Sequence, residues 1–263
     1  MARVRPGEAA NPAPPTVQRI RIRFAKRGRL RFLSHRDVAR SVERAVRRAA
    51  IPVAHSHGFS PHPRLSWIGA APTGAASEAE YLEIGLTRPL DPADLAAALD
   101  AALPDGLDVL AAAVAEGTPL VERIEASEWR IELPGVSSDD LRRAVAALEA
   151  ADTVVVERVT PSGRRQIDVR AALVGVTVST PEPTPGSTSA PDATDCAIMT
   201  AVVRQTTPAV RPDDVLGALD VVAGLKLPAP AKATRMAQGL LDDRGRLTDP
   251  LGPGPGYHPN LTD

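Results

Sequence analysis

RIRIRFAKRGRLRFLSHRDVARSVERAVRRAAIPVAHSHGFSPHP, residues Arg19 to Pro63, sets the plan of the chain. Its first residues alternate strictly: Ile20, Ile22 and Phe24 point one way, Arg19, Arg21 and Arg23 the other. That is the period of a half-buried strand with a basic open face. A tight KRGR turn follows. Ser34 with Asp37 three positions on forms a capping box that opens a helix over about residues 35–50. Val38, Val42, Ala45, Val46 and Ala49 make its apolar stripe at helical spacing, and Arg36, Arg40, Arg44, Arg47 and Arg48 occupy the remaining faces. Pro52 ends it.

Between Arg19 and Arg48 stand twelve Lys/Arg against only Asp37 and Glu43, whereas the whole chain carries a formal charge of −1. A charge so dense needs a polyanion, a counter-charged face elsewhere in the chain, or solvent. Four of the five histidines, His35, His55, His57 and His62, lie in this stretch. At 263 residues, 43% apolar but only 3% aromatic, the chain can bury a sizeable core built from Ala, Val, Leu and Ile. The single cysteine, Cys196, excludes an internal disulfide and a CxxC redox pair, which suits a reducing compartment. Residues 1–15 lack the apolar centre of a signal peptide, and no run approaches the roughly 18 apolar residues of a membrane span. A cytoplasmic protein is expected.

Outward from the opening stretch, VAHSHGFSPHP runs into a short strand at about 64–68. A second alternating strand, Glu80 to Leu86, buries Leu82, Ile84 and Leu86. Asp91-Pro92 caps a helix to about Leu103, and residues 107–114 close the unit as a strand. The order is β-α-β-β-α-β, the split βαβ arrangement of ferredoxin-like domains. A weaker echo follows: a strand over 127–133, a helix capped by Ser138 through Ala150, and a hairpin of 153–160 with 166–172 around Pro161-Ser162-Gly163. Residues 180–195 form a Pro/Ser/Thr-rich insertion, Cys196 to Gln205 a strand, and 211–222 a helix. The expected fold class is therefore α+β, with two ferredoxin-like lobes, the second degenerate and carrying an inserted Pro/Ser/Thr loop. The boundaries read as a disordered N-terminus over 1–15, a first lobe with the basic strand and helix over 16–116, a second lobe over 117–227 and a C-terminal extension and tail over 228–263.

RLRFLSHRD, HGFSPHPRLS and SEAEYLEIGL, with SGRRQIDVR and RQTTPAVRPDDVLGAL in the second half, resemble the radical-SAM-linked domain, a family whose activity is not established. The resemblance spans roughly residues 17–225. In many bacteria this domain is fused to the C-terminus of a radical SAM protein; in actinobacterial-type sequences it stands alone, often encoded beside an RNase E/G-type ribonuclease. The resemblance thus implies a separate radical SAM protein or an RNase E/G-type ribonuclease as partner. With one cysteine, this sequence has no CxxxCxxC to hold an iron–sulfur cluster, and no cofactor is expected.

The basic strand and turn offer a candidate RNA contact surface: Arg19, Arg21, Arg23, Lys26, Arg27, Arg29, Arg31 and Arg36, joined by Arg64. The open face carries Arg where an RNA-recognition motif carries stacking aromatics, so backbone or shape recognition is expected rather than base readout. Phe59, in the rigid GFSPHP loop, either stacks on a base or anchors the loop in the core. Carboxylates at Glu78, Glu80 and Glu83 lie on the strand expected beside the basic one, where cross-strand pairing neutralises part of the Arg row. Arg164 and Arg165 on the second-lobe hairpin extend the basic set.

The histidines leave alternatives open. His55 and His57, two apart, share one face of an extended strand as metal ligands do, and His35 and His62 complete a four-histidine cluster if the chain folds back. One histidine could instead act as general base on an RNA 2′-hydroxyl. The third reading is turn histidines bonding backbone or phosphate. Three functions follow: a non-catalytic RNA-binding or adaptor module serving a separate radical SAM or RNA-processing enzyme, a histidine- or metal-dependent endoribonuclease, and a protein–protein adaptor without nucleic acid.

Overall fold

The computed structural model describes residues 14–57, 59–160, 163–180, 196–252 and 258–259. The expectations of a disordered N-terminus over 1–13, of the inserted loop over 181–195 and of a turn at Pro161-Ser162 lie outside the described residues. The architecture is α+β, mostly sheet with few helices. By its internal contacts the chain divides into two compact units. One holds residues 1–73, 78–122 and 251–263, and the other 74–77 and 123–250.

In the first unit, β1 (Gln18–Lys26) leads through a 3-10 turn (Gly28–Phe32) into α1 (His35–Arg48). Ser34 caps α1 by accepting from the Asp37 N–H, as its spacing predicts. Beyond the helix, Ala50 takes a left-handed φ of 50°, which turns the chain away before Pro52. β2 (Leu65–Ile68), β3 (Ala76–Leu86), α2 (Pro92–Asp100) and β4 (Val109–Val114) complete the βαββαβ order. The strands lie side by side as β4-β1-β3, with β2 also paired to β3. Antiparallel register sets Ile20 opposite Val114 and Ile22 opposite Ala112.

The alternation in β1 decides the core. Ile20, Ile22 and Phe24 are buried with Val38, Val42 and Val46 of α1, Leu82, Ile84 and Leu86 of β3, and Leu95 and Leu99 of α2. Each such side chain contributes about 1.5–3 kcal/mol by leaving water. The opposite side of β1 is not open: Arg21 and Ala25 are almost fully buried, as are Ala79 and Tyr81 of β3. The basic open face expected from period-2 patterning is therefore corrected. Alternation separates two faces but does not say which of them meets water.

The second unit contains β5 (Ala126–Pro134), α3 (Ser138–Ala150), the hairpin β6 (Val155–Thr160) and β7 (Gly163–Asp168), and the short α4 (Val169–Ala172). There follow β8 (Leu173–Ser179), β9 (Cys196–Arg204), α5 (Pro212–Ala223), β10 (Lys232–Leu241) and β11 (Leu247–Thr248). Ser137, one residue earlier than expected, caps α3 by accepting from the Asp140 N–H. The strand order is β10-β5-β9-β8, with β11 on β10 and the β6–β7 hairpin forming its own two-stranded sheet. Ala76 and Ser77, the first residues of β3, pair in parallel with Thr234 and Arg235. β8 and β10 have no counterpart in the sequence reading, and β10 lies within residues 228–263. At the chain's C-terminal end, β12 (His258–Pro259) pairs with β4 in the first unit. Among the described residues, no helix is long and apolar enough to cross a membrane.

Candidate nucleic-acid interface

Most cations of β1 are engaged inside the first unit. Arg21 donates from Nε to Glu83 Oε2 at 3.4 Å, and from its terminal nitrogens to the carbonyls of Glu116 at 3.2 Å and Thr118 at 2.7 Å. Lys26 Nζ, 2% exposed as a residue, donates to the carbonyls of Ala71 and Pro72, both at 3.3 Å. Arg27 donates to Glu78 Oε1 at 2.7 Å and to Asp108 Oδ2 at 2.8 Å. The Glu78 hydrogen bond, with the charges of Glu78 and Asp108, holds its guanidinium above its ordinary pKa against some desolvation. Arg23 is half-buried. Arg19 keeps an exposed side chain, with Glu83 Oε1 at 3.6 Å. The Glu78 and Glu83 carboxylates thus meet the Arg row across the strands, as cross-strand pairing requires.

The accessible charge sits on the next two elements. Arg29 is exposed in the 3-10 turn, and Arg31 lies over the ring of exposed Phe32, 4.5 Å from its centroid. On α1, Arg36, Arg40, Arg44 and Arg48 recur every four residues, and all four are exposed. Each step rises about 6 Å, so the row spans about 18 Å of helix. Arg40 meets only the distant Asp37 carboxylate at 3.8 Å, Arg44 leans on Ser41 Oγ at 3.3 Å, and Arg48 donates to the Ala102 carbonyl at 3.2 Å. Among the described residues, Arg29, Arg36, Arg44 and Arg47 form no ion pair. The Ser34 hydroxyl, donating at 2.6 Å, holds the Asp37 carboxyl below its ordinary pKa, assisted by the Ser34 backbone contact and Arg40.

The histidines occupy different settings. His35, at the start of α1, stands edge-on to Trp67, ring centroids 5.3 Å apart, and Trp67 in turn meets Phe24 at 6.1 Å. His55, His57 and His62 are exposed on a narrow hairpin in which Ser56 N donates to the His62 carbonyl at 2.8 Å and His62 N to Ser56 Oγ at 3.0 Å. Among the described residues, no three His, Cys, Asp or Glu side chains converge into a group that could hold a metal ion. Neither the four-histidine cluster nor a third ligand for His55 and His57 is therefore formed. Phe59 projects fully into solvent from this hairpin and does not anchor it in the core.

Where the hairpin meets the sheet there is a cleft of about 220 Å³. Arg19 from β1, Glu83 and Gly85 from β3, and Ser56, His62 and Arg64 from the hairpin line it. Arg64 is exposed, its Nε 3.4 Å from the His55 carbonyl. Gly85 is closely packed: a Cβ there would stand 3.1 Å from Thr16 Cγ2 and 3.3 Å from Arg64 Cβ, so a neighbour would have to shift by a few tenths of an ångström. Of these residues the sequence singles out Arg19, Arg64 and His62 as binding candidates. It gives no signal for Thr16, Ser56, Ser66 or Gly85, because long-range pairing assembles the cleft.

In the second unit, Arg164 and Arg165 are exposed on β7, and Arg164 pairs with Glu157 at 2.7 Å. Burial raises the Asp168 carboxyl, but the Thr153 hydroxyl and the backbone N–H groups of Val154, Ala171 and Arg170 outweigh it and hold the group below its ordinary pKa. Asp168 is thus the cap of α4.

These features define an α+β protein with an arginine-lined helix and, in the same unit, a small polar cleft. The chain belongs to a bacterial family, DUF2344, described as an uncharacterized protein conserved in bacteria, whose model matches residues 19–212. No curated protein matches it.

Proposed function

We propose that the protein is a non-catalytic RNA-binding or adaptor module whose contact surface is the outer face of α1 with the turn before it. The observation that carries this is the Arg36–Arg40–Arg44–Arg48 row: four cations at regular rise on a rigid element, with Arg29 and Arg47 exposed in the same unit. A rigid row of guanidiniums suits the phosphates of a backbone, each of which accepts two N–H donors of the planar fork. It reads no base, and recognition on this face is by backbone and shape. The proposed surface gives α1 and the turn more weight than β1, because Arg21 and Lys26 of β1 and Arg27 just after it are taken up by Glu83, Glu78, Asp108 and loop carbonyls.

The strand orders support a reading of both units as ferredoxin-like. The first has β4-β1-β3 with β2 on β3, and the second has β10-β5-β9-β8 with the β6–β7 hairpin inserted after α3. The sequence resemblance to the radical-SAM-linked domain supports a cytoplasmic setting in which the module serves a separate radical SAM protein or RNase E/G-type ribonuclease.

The test is the ultraviolet absorbance ratio of the purified protein before and after a high-salt wash, followed by titration of a labelled single-stranded RNA over a salt series. Bound nucleic acid that salt removes, and a log–log salt slope of about −0.7 per phosphate contact, are expected. Protein free of nucleic acid at low salt, with no RNA bound in titration, overturns the reading and leaves an acidic protein partner for the α1 face.

A further inference from the structure

We propose that the cleft at the base of the hairpin binds a ribose bearing a phosphate, the chemical unit of an RNA end or of a free ribonucleotide. This rests on the RNA reading for taking the sugar as ribose.

The argument starts from what the walls can donate and accept. Arg19 and Arg64 both line the cleft, and both are exposed enough to reorient their forks. Ser56 and Ser66 add hydroxyls. Two guanidiniums with two hydroxyls form a donor-rich wall for a phosphate.

A bare phosphate does not account for Glu83. Its carboxylate stands in the same cleft, and an anion alone would be repelled by it. Arg21 donates to one oxygen at 3.4 Å, Arg19 stands 3.6 Å from the other, and both offset its charge. A carboxylate has about four acceptor sites, so at least two remain for hydroxyl donors. The ligand that satisfies both walls carries hydroxyls beside an anion, as a sugar phosphate does. The volume agrees: about 220 Å³ is below the ~300–1,000 Å³ of sites for whole drug-sized ligands, so one sugar phosphate enters and its base stays outside. The 2′-hydroxyl on Glu83 is then what distinguishes RNA from DNA here.

The experiment is calorimetric titration of the full chain with AMP, with its 2′-deoxy analogue and with inorganic phosphate. Single strands of RNA with a 5′-phosphate or a 5′-hydroxyl are titrated beside them. AMP is expected to bind, the deoxy analogue about fivefold more weakly for one lost hydrogen bond, and Arg64→Ala about tenfold or more weakly than the unmodified chain. Amide shifts in the unmodified chain then locate AMP without any variant: movement at Ser56, Ser66 and Glu83 supports the site, and movement confined elsewhere overturns it. Equal binding of AMP and its deoxy analogue, or no heat up to about 10 mM AMP, also overturns it. RNA bound without AMP binding sinks the cleft alone. AMP bound without RNA binding sinks the RNA reading and makes a free ribonucleotide the occupant; a preference for the 5′-phosphorylated strand makes the occupant an RNA end.

Discussion

Arg21 and Glu83 face each other on neighbouring strands, Nε to Oε2 at 3.4 Å, on the side of the sheet away from the apolar core of the first unit. The remaining donors of Arg21 hold the carbonyls of Glu116 and Thr118. One side chain thus fixes the segment that follows β4 against β1. Arg21→Ala strands two carbonyls and leaves Glu83 with Arg19 alone, and it should cost about 2–4 kcal/mol. Arg21→Lys should recover only part of this, because an ammonium cannot reproduce the planar fork. Urea unfolding measures the loss. The salt slope of RNA binding should stay unchanged in the folded fraction, and a reduced slope would put Arg21 at a surface.

The first unit was largely legible in sequence because its signals are local. Period-2 alternation in β1 and the Ser34–Asp37 and Asp91–Pro92 caps each act within a few residues, and the elements appear where those signals put them. The fate of the arginines was less legible. Whether Arg21 meets water depends on residues 116–118, nearly a hundred positions away, and the cleft needs Thr16, Arg64 and Glu83 brought together by strand pairing. β10 was missed for a related reason: Ala233, Met236 and Ala237 are weak apolar marks, and its sequence lies among prolines. Its place is fixed by pairing with Ala126–Glu132, a non-local register that no window of sequence contains.

The α1 row makes a quantitative prediction. Arg36→Ala, Arg40→Ala and Arg44→Ala together remove three exposed cations whose side chains, among the described residues, make one 3.8 Å ion pair to Asp37 and one hydrogen bond to Ser41. Each change should alter stability by no more than about 0.5 kcal/mol, since none leaves a buried partner behind. If each contacts one phosphate, the triple variant should lose about 2 units of log–log salt slope on single-stranded RNA. An unchanged slope in a folded triple variant would remove α1 from the interface.

The N-terminus of α1 carries a pH dependence with a definite sign. Asp37 has its folded pKa depressed, chiefly by the Ser34 hydroxyl. Its contribution to stability is therefore present above the ordinary carboxylate pKa and is lost as pH falls through the depressed folded value. Ser34→Ala removes both the hydrogen bond and the cap. The Asp37 carboxyl, followed by NMR titration, should then rise toward its ordinary pKa, and amide exchange in the first turn should quicken at neutral pH. No movement of that pKa would mean that Arg40, not Ser34, sets it.

Arg158 and Asp214 tie the β6–β7 hairpin to α5 in the second unit. Arg158 Nε donates to Asp214 Oδ1 at 3.0 Å, and a second guanidinium nitrogen is shared between Asp214 Oδ2 and the Ala209 carbonyl, the latter at 2.7 Å. Asp214 also accepts from the Arg211 N–H at 2.6 Å, closing the start of α5. With side chains only 15% and 6% exposed, this pair is far better shielded than the Arg164–Glu157 and Arg204–Glu125 pairs of that unit. Asp214→Ala removes the cap and leaves Arg158 without its carboxylate, at a cost of about 2–4 kcal/mol. Arg158→Met, which keeps the apolar stem, should cost less. The two midpoints in denaturant give the order, and a reversed order would mean that Asp214 is satisfied by α5 alone.

Gly85 tests the cleft without touching a charged group. The backbone there is ordinary strand, bonded through its N–H to the Arg64 carbonyl at 3.0 Å and through its carbonyl to Ala54 N at 2.7 Å. Nothing in its conformation therefore demands glycine; only space does. A methyl group from Gly85→Ala must displace Thr16 or Arg64 by a few tenths of an ångström, since the three nearest atoms stand at 3.1–3.3 Å. Gly85→Val adds two further methyls against the same neighbours. Val is a good strand former, so the overpacking cost of about 1–3 kcal/mol is partly offset and the chain should still fold. AMP affinity should fall in the order Gly, Ala, Val, while RNA binding through α1 keeps its salt slope. If Gly85→Val folds and binds AMP as well as the unmodified chain, the nucleotide sits somewhere other than between Arg19 and Arg64.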